Sequence, residues 1–289
     1  MTDSIARLGL VVRDLPGHVV AKLAKRAEAA GFTDLFLPEM GYVAAEHVTG
    51  RDPFLASASA LSATTRLRVG PGVAITPVRS ARATALLAAG CQEDSGGRFV
   101  LGCGVSHRGA LAAIGLPFPD SPLTHTADYV AHLRDLSRRT LAFGRDFPVL
   151  LGALGPRMLR LSATTADGAM LNWLTPEHAK TATETIAEAA AGAPRESALY
   201  LRVGTPSAVR QEAELYLTRF PNYRKHFARQ GITSVDEAAR RTAIPSLATS
   251  TIREVAESYR AAGVTLPCLS PTGLSTREIG ELVDSFASS

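Results

Sequence analysis

"EAAGFTDLFLP" (residues 28–38) ends an amphipathic helical pattern on a glycine, then runs into a short apolar stretch closed by proline. Glycine is favoured just past the last turn of a helix, and proline cannot donate within a sheet ladder. The segment therefore reads as helix end, tight turn, buried strand. "RAAGVTLPCLSP" (260–271) repeats the same order: Ala-Ala-Gly, one apolar residue, Thr, strand, Pro. The echo, near opposite ends of the chain, points to one strand–helix unit used repeatedly.

Other units lie between and around these two. Short apolar runs fall at 7–12 ("RLGLVV"), 33–38, 67–73, 98–104, 147–152, 167–173, 198–204 and 264–270. The stretches between them carry helical spacing, as in Val19, Val20, Leu23, Ala24 and Ala27, and start signals such as Asp52-Pro53 and Thr175-Pro176. Strands that are apolar throughout imply a sheet buried on both faces, as in parallel α/β folds. Eight such strands in 289 residues predict a single α/β domain over 1–289, a (βα)8 TIM barrel. A doubly wound open sheet is the alternative. One connection is too long for a single helix: about 205–263, between strands 7 and 8, reads as a helical insertion. Within it Thr251 and Glu254 have capping-box spacing. The insertion reads either as a cover for the barrel end or as a lid.

Composition narrows the function. The chain is 46% apolar and 20% charged, with a net charge of +4 that has no local focus. Its short basic clusters lack interleaved aromatics, which argues against nucleic acid as a partner. No apolar run approaches the roughly 18 residues of a membrane span, and the N-terminus does not resemble a signal peptide. Cys91, Cys103 and Cys268 are odd in number and far apart, so free thiols in the cytoplasm are expected. The seven histidines form no metal-binding pattern and there is no G-x-S-x-G elbow.

In a (βα)8 enzyme the site lies at the carboxyl ends of the strands. The most interpretable end is Gly152, Ala153, Leu154, Gly155, Pro156 and Arg157: a small loop, proline at a first helical position, and a cation. Backbone N–H groups and the helix dipole there make a phosphate seat, or else the glycines serve a tight turn only. Gly72, Val73 and Ala74 end strand 3 with glycines on either side of Pro71, where a bulge or a close approach of ligand is expected. Gly104, Val105 and Ser106 end strand 4 and lead to His107, a candidate acid, base or hydrogen-bond donor. Glu39 ends strand 2 and suits a base or an orienting group. His47 lies in the loop beyond it. Asn172 and Trp173 end strand 6 as candidate walls of a substrate pocket, with the tryptophan alternatively plugging the barrel mouth.

"AEAAGFTDLFLPE", "VGPGVAITPVRS", "SGGRFVLGCGVS", "PVLLGALGPRMLRLSATTADGAMLNWLTPE" and "YRAAGVTLPCLSP" together resemble, in order and spacing, the luciferase-like monooxygenase superfamily. Within it they look most like actinobacterial oxidoreductases that use the deazaflavin coenzyme F420. The resemblance implies a deazaflavin or flavin across the strand ends and hydride transfer to or from a small-molecule substrate. The alternatives are FMN-dependent oxygen chemistry and a non-catalytic flavin-binding barrel. It also implies a non-prolyl cis peptide, here Gly72–Val73, a phosphate loop at Gly152–Arg157, and a homodimer. Members often carry an Asp-His pair after strand 2 or a glutamate after strand 4. This chain has Glu39-Met40 and Ser106-His107 there, so Glu39 and His107 are the expected catalytic replacements.

Overall fold

The computed structural model describes residues 7–39, 43–44, 47–48, 50–139 and 146–287. The principal strands are β1 (Gly9–Val11), β2 (Asp34–Leu37), β3 (Arg68–Pro71), β4 (Leu101–Gly104), β5 (Val149–Gly152), β6 (Gly168–Asn172), β7 (Glu196–Gly204) and β8 (Leu266–Thr272). All pair in parallel. β1 lies between β2 and β8, and β7 lies between β8 and β6. β6, β5 and β4 continue the circle.

Closure depends on β3, which changes partner along its length. Arg68–Pro71 pairs with β2, whereas Ala74–Ile75 pairs with β4 at Cys103 and Gly104. The switch falls at Gly72–Val73, and that peptide bond is cis. The sheet is therefore the expected (βα)8 barrel and not a doubly wound sheet.

Among the described residues eleven helices follow in order: α1 (Gly17–Ala29), α2 (Pro53–Ala63), α3 (Ala81–Asp94), α4 (Pro122–Arg139), α5 (Pro156–Thr165), α6 (Pro176–Ala189), α7 (Pro206–Arg219), α8 (Pro221–Arg229), α9 (Val235–Thr242), α10 (Thr249–Ala261) and α11 (Thr276–Ser285), besides a short turn of helix at Arg108–Ala113. The echo in the sequence is a shared helix ending. Gly31 and Gly263 both adopt left-handed φ, 86° and 88°. Phe32 N–H donates to Ala27 O (2.9 Å) and Val264 N–H to Tyr259 O (3.0 Å), which closes each helix and aims the chain into its strand.

Three apolar layers hold the molecule. A large one joins strands to the surrounding helices. A small one fills the barrel with Val11, Phe36, Val100, Leu150, Met170, Tyr200 and Cys268. A third lies under the insertion, around Trp173, Tyr223 and Phe227. Ions close the amino-terminal end of the barrel. Fully buried Asp34 takes Arg7 at 2.9 Å and Arg68 at 3.2 Å, and both arginines also reach Glu196. A charge so buried is tolerated only when paired in this way.

The 205–263 connection contains α7, α8, α9 and α10, with a short strand, Ala243–Ile244, added beside β7. The capping box expected at Thr251 and Glu254 is not formed, because α10 begins three residues earlier with Ala248 at its cap. Thr249 Oγ1, bonded to Ser285 Oγ at 3.0 Å, ties that first turn to α11. A capping box does form at Ser275 and Glu278 on α11. Asp52 and Thr175 cap α2 and α6 as their positions suggest. No described helix is long and apolar enough to cross a membrane.

Candidate active site

At the carboxyl ends of the strands lies a cavity of about 120 Å³ lined by Arg13, Glu39, Gly72, Val73, Ser106, His107, Asn172, Tyr200, Arg202 and Tyr216, among others. Its floor is the partner switch in β3. A Cβ on Gly72 would run into Tyr200 Oη and would lie 2.8 Å from Phe36 Cβ and 3.0 Å from Met170 Cε. Tyr200 Oη donates to Gly72 O at 2.7 Å. Side chains rising from inside the barrel thus approach the chain at Gly72 closely enough by themselves to call for a glycine. Val73, one residue on, faces the cavity. Ala74 is buried among the helices and can offer the site only backbone.

Glu39 is brought to this floor from β2. Its Oε2 accepts from Ile75 N–H and from Arg79 Nη1, both at 2.7 Å. Arg79 also reaches Asp52. A carboxylate oxygen held by a backbone amide and a guanidinium fixes the segment after the switch, which suits an orienting group better than a free base. Met40 lies outside the described residues, as does the side chain of His47.

His107 lines the same cavity, its ring packed on Phe220 (4.4 Å between centroids) and Tyr223 (5.5 Å) from the insertion. Burial drives its pKa down to about 4, only partly offset by a hydrogen bond with Asn222. The imidazole is neutral at physiological pH and offers one donor and one acceptor. Asn172 Nδ2 donates to Tyr223 Oη at 2.7 Å, which joins β6 to α8 across the cavity.

Trp173 does not wall this space. It is fully buried beneath α7 and α8, packed on Tyr216 and Phe227. Above its ring lies the guanidinium of Arg202, 4.9 Å from the centroid. Arg202 is 2% exposed, and its Nε donates to Glu212 Oε1 at 2.9 Å. Arg13 donates to the same oxygen at 2.8 Å and to Ser270 Oγ. Burial would raise the Glu212 carboxyl, but the charges of Arg13 and Arg202 prevail and hold it down to about 2.

Among the described residues, six buried side-chain polar atoms have no hydrogen-bond partner. Three belong to the cavity lining: His107 Nδ1, Asn172 Oδ1 and Arg202 Nη1. Buried polar groups are nearly always paired, so such a cluster marks a place prepared for a polar ligand.

Beside the cavity, α5 starts at Pro156 with Gly155 as its cap and no side chain bonding to its first turn. Arg157 on that turn is exposed. Arg229, at the end of α8, comes closer to the loop: Nη1 donates to Leu154 O at 3.4 Å and lies 3.6 Å from where a Gly155 Cβ would be. Ala153 points into the layer under the helices. Cβ atoms on Gly104 and Gly152 would meet the methyls of Val73 at 3.3 and 3.5 Å, so these residues form a low floor around it.

With the barrel, the partner switch in β3 and the insertion in place, the chain can be set beside known proteins. Residues 14–267 match the luciferase-like monooxygenase family. The chain belongs to that family. Over 193 residues it is 28% identical to the 5,10-methylenetetrahydromethanopterin reductase of Methanolobus tindarius, covering 61% of this chain and 57% of that protein. A Mycobacterium tuberculosis protein named as a coenzyme F420-dependent oxidoreductase is 30% identical over 179 residues, 51% of this chain and 49% of its own length. The chain thus spans about half the length of the curated relatives it matches. An F420-dependent secondary alcohol dehydrogenase, solved with an F420–acetone adduct, shares the fold with a TM-score of 0.79 at 15% identity, over 98% of this chain and 97% of that one.

For this luciferase-like barrel the structure brings Glu39, Gly72, Val73, Ser106, His107 and Asn172 to one cavity. It sets the Gly152–Arg157 loop close by. Tyr200 and Arg202 were not anticipated. The available signal was strand parity: Ala198, Tyr200 and Arg202 share a face of β7, and a cation on the inner face of an apolar strand is costly without a purpose. Arg229 and Tyr223 gave no comparable signal.

Proposed function

We propose that this chain is an oxidoreductase that passes a hydride between coenzyme F420 and a small organic substrate. The observation that carries the reading is the cluster of unpaired buried polar atoms over the Gly72–Val73 floor, next to an uncapped helix start with an arginine above it. These residues fit a flat ring with a phosphate-bearing tail. Val73, with Gly104 and Gly152 beside it, would back the ring, and the Gly155 loop with Arg229 would hold a phosphate. A bound deazaflavin supplies the carbon that gives or accepts the hydride. Glu39 keeps the floor in place through Ile75 and Arg79. Neutral His107 is placed to donate or accept one hydrogen bond at the reacting group. Phe220 and Tyr223 shield that side from water. The names of the Mycobacterium tuberculosis relative and of the alcohol dehydrogenase neighbour support F420.

The test is titration of the purified protein with F420 and, separately, with FMN, followed by fluorescence. F420 should bind at least tenfold more tightly, and the reduced coenzyme should be oxidised by a member of a carbonyl substrate panel. Tight FMN binding with none for F420 would move the function to oxygen chemistry. Binding of F420 with no turnover across the panel would leave a binding protein.

A further inference from the structure

The cavity holds more charge information than the cofactor reading uses. Arg202 has three guanidinium nitrogens. Nε is taken by Glu212 at 2.9 Å and Nη2 by Tyr216 Oη at 3.2 Å. Nη1 is buried and has no partner, on a side chain only 2% exposed that lines the cavity. A guanidinium N–H taken out of water without an acceptor is among the more costly arrangements in a protein. Its alternative is a ligand atom.

The charge balance says which kind. Arg13 and Arg202 face one carboxylate, Glu212, and all three are joined through its Oε1. That group carries one net positive charge. Glu39, elsewhere in the lining, is held by Arg79, which also meets the exposed Asp52. A monoanion balances the Arg13–Arg202–Glu212 group, whereas a dianionic phosphate would overcharge it. The unpaired Nη1 of Arg202 is a charged donor, and a carboxylate oxygen is the acceptor that suits it.

A second unpaired atom adds to this. Asn172 Oδ1 is a buried acceptor that needs a donor. Asn172 lies opposite Tyr200 in the β6–β7 register, and Arg202 is two residues further along the same face. With strands about 4.8 Å apart and about 3.3 Å per residue, the two Cα atoms are roughly 8 Å apart, and both side chains reach the same cavity. One small molecule with an anionic end and a donor group can meet both.

We propose that the cavity takes a small carboxylate that also bears a hydroxyl, the carboxylate on Arg202 with the charge of Arg13 beside it, the hydroxyl on Asn172. As a substrate assignment this rests on the oxidoreductase reading; as a binding site it rests on the cavity alone. Arg202 is then a specificity-determining residue, selecting acids over neutral alcohols.

The experiment uses the whole purified protein and matched pairs of probes: lactate against propane-1,2-diol, glycerate against glycerol, and inorganic phosphate alone. Binding is read by thermal shift and by calorimetry, and F420 affinity is measured separately by fluorescence. At least one acid should bind tenfold or more tightly than its uncharged twin and more tightly than phosphate. Arg202→Lys, which keeps the charge and loses the guanidinium Nη1, should weaken that acid at least tenfold and narrow its advantage over the uncharged twin. Asn172→Ala should weaken the hydroxy acid more than acetate. Equal binding of acids and diols, tighter binding of phosphate, or an Arg202→Lys protein with unchanged acid affinity would each overturn the proposal. If the variant fails to fold, the comparison of acids with diols on the unaltered protein still decides it. Acid selectivity without F420 binding would sink the cofactor reading and leave this site standing. F420 binding without acid selectivity would do the reverse.

Discussion

Replacing Gly72 by alanine tests whether the barrel interior or a bound ligand dictates that glycine. The added methyl would overlap Tyr200 Oη and come within 2.8 Å of Phe36 Cβ, which is anchored to its backbone and cannot swing aside. The φ of Gly72 is not left-handed, so backbone conformation is not the obstacle. Forcing one methyl into a filled core costs about 1–3 kcal/mol. Disturbing the 2.7 Å bond from Tyr200 to Gly72 O adds about 1 kcal/mol. Gly72→Ala should therefore destabilise the ligand-free protein by about 2–4 kcal/mol. Tyr200→Phe should cost about 1–3 kcal/mol by leaving Gly72 O unpaired. In the double variant the oxygen that clashed is gone and its bond cannot be lost twice, so the total should fall short of the sum by about 1–2 kcal/mol. Urea unfolding of the four proteins, with a common slope, measures this. Additivity to within about 0.5 kcal/mol, or a Gly72→Ala protein as stable as the parent, would refute the packing account and return the glycine to the ligand.

His107 has a folded-state pKa of about 4, against about 6.5 in an unfolded chain. Between those values the unfolded state binds more protons, so the residue costs stability as pH falls from about 6.5 towards 4, by up to about 3 kcal/mol. His107→Gln should lose correspondingly less stability over that window in acid titrations of unfolding; parallel curves for the two proteins would contradict the burial argument. Arg229→Ala should weaken F420 about tenfold or more in a fluorescence titration, in line with one charge-assisted hydrogen bond. It should barely affect a deazaflavin lacking the phosphate, while Arg157→Ala, on an exposed side chain, should do less; equal losses for both ligands would disprove the phosphate seat.

The barrel was legible because its signals are local. Eight apolar runs, the Ala-Ala-Gly helix endings and caps such as Asp52 and Thr175 are each set by a few neighbouring residues. The site was legible where position along a strand was enough, at Glu39, His107 and Asn172. Gly72 shows where such reading stops, since glycine is equally required by a ligand above and by a tyrosine hydroxyl below. Thr251 shows the same limit for helix starts. Its cap pattern was intact, but burial of Ile252, Ala256 and Tyr259 and the contact of Thr249 with Ser285 begin the helix earlier. Arg202 is hidden in an otherwise apolar run, and only the face it takes on β7 sets it apart.

The two readings of the insertion, cover or lid, are separated by how it is fastened. His226 on α8 sets Nδ1 3.1 Å from Leu154 O, and Nε2 2.9 Å from both Asn172 O and Trp173 O. Gln230 accepts from Thr175 N–H at 2.9 Å and donates to Trp173 O at 2.8 Å. Tyr223 accepts from Asn172, and His178 Nε2 meets Arg229 O at 3.1 Å. Lifting α8 would break all of these together and expose Phe227 and Trp173, both now fully buried. At about 1 kcal/mol for each bond, and about 2 kcal/mol for each large side chain, opening costs on the order of 10 kcal/mol. That is comparable to the whole stability of a typical domain. We propose that α8 is a fixed wall of the site and that ligands enter past its edge without displacing it. The same fastening gives the wall its use: the chain just past β5 and the end of β6, which carry the Leu154 and Asn172 carbonyls, also carry the Gly152–Arg157 loop and the unpaired Asn172 Oδ1, so the insertion holds in register the groups that the cavity presents.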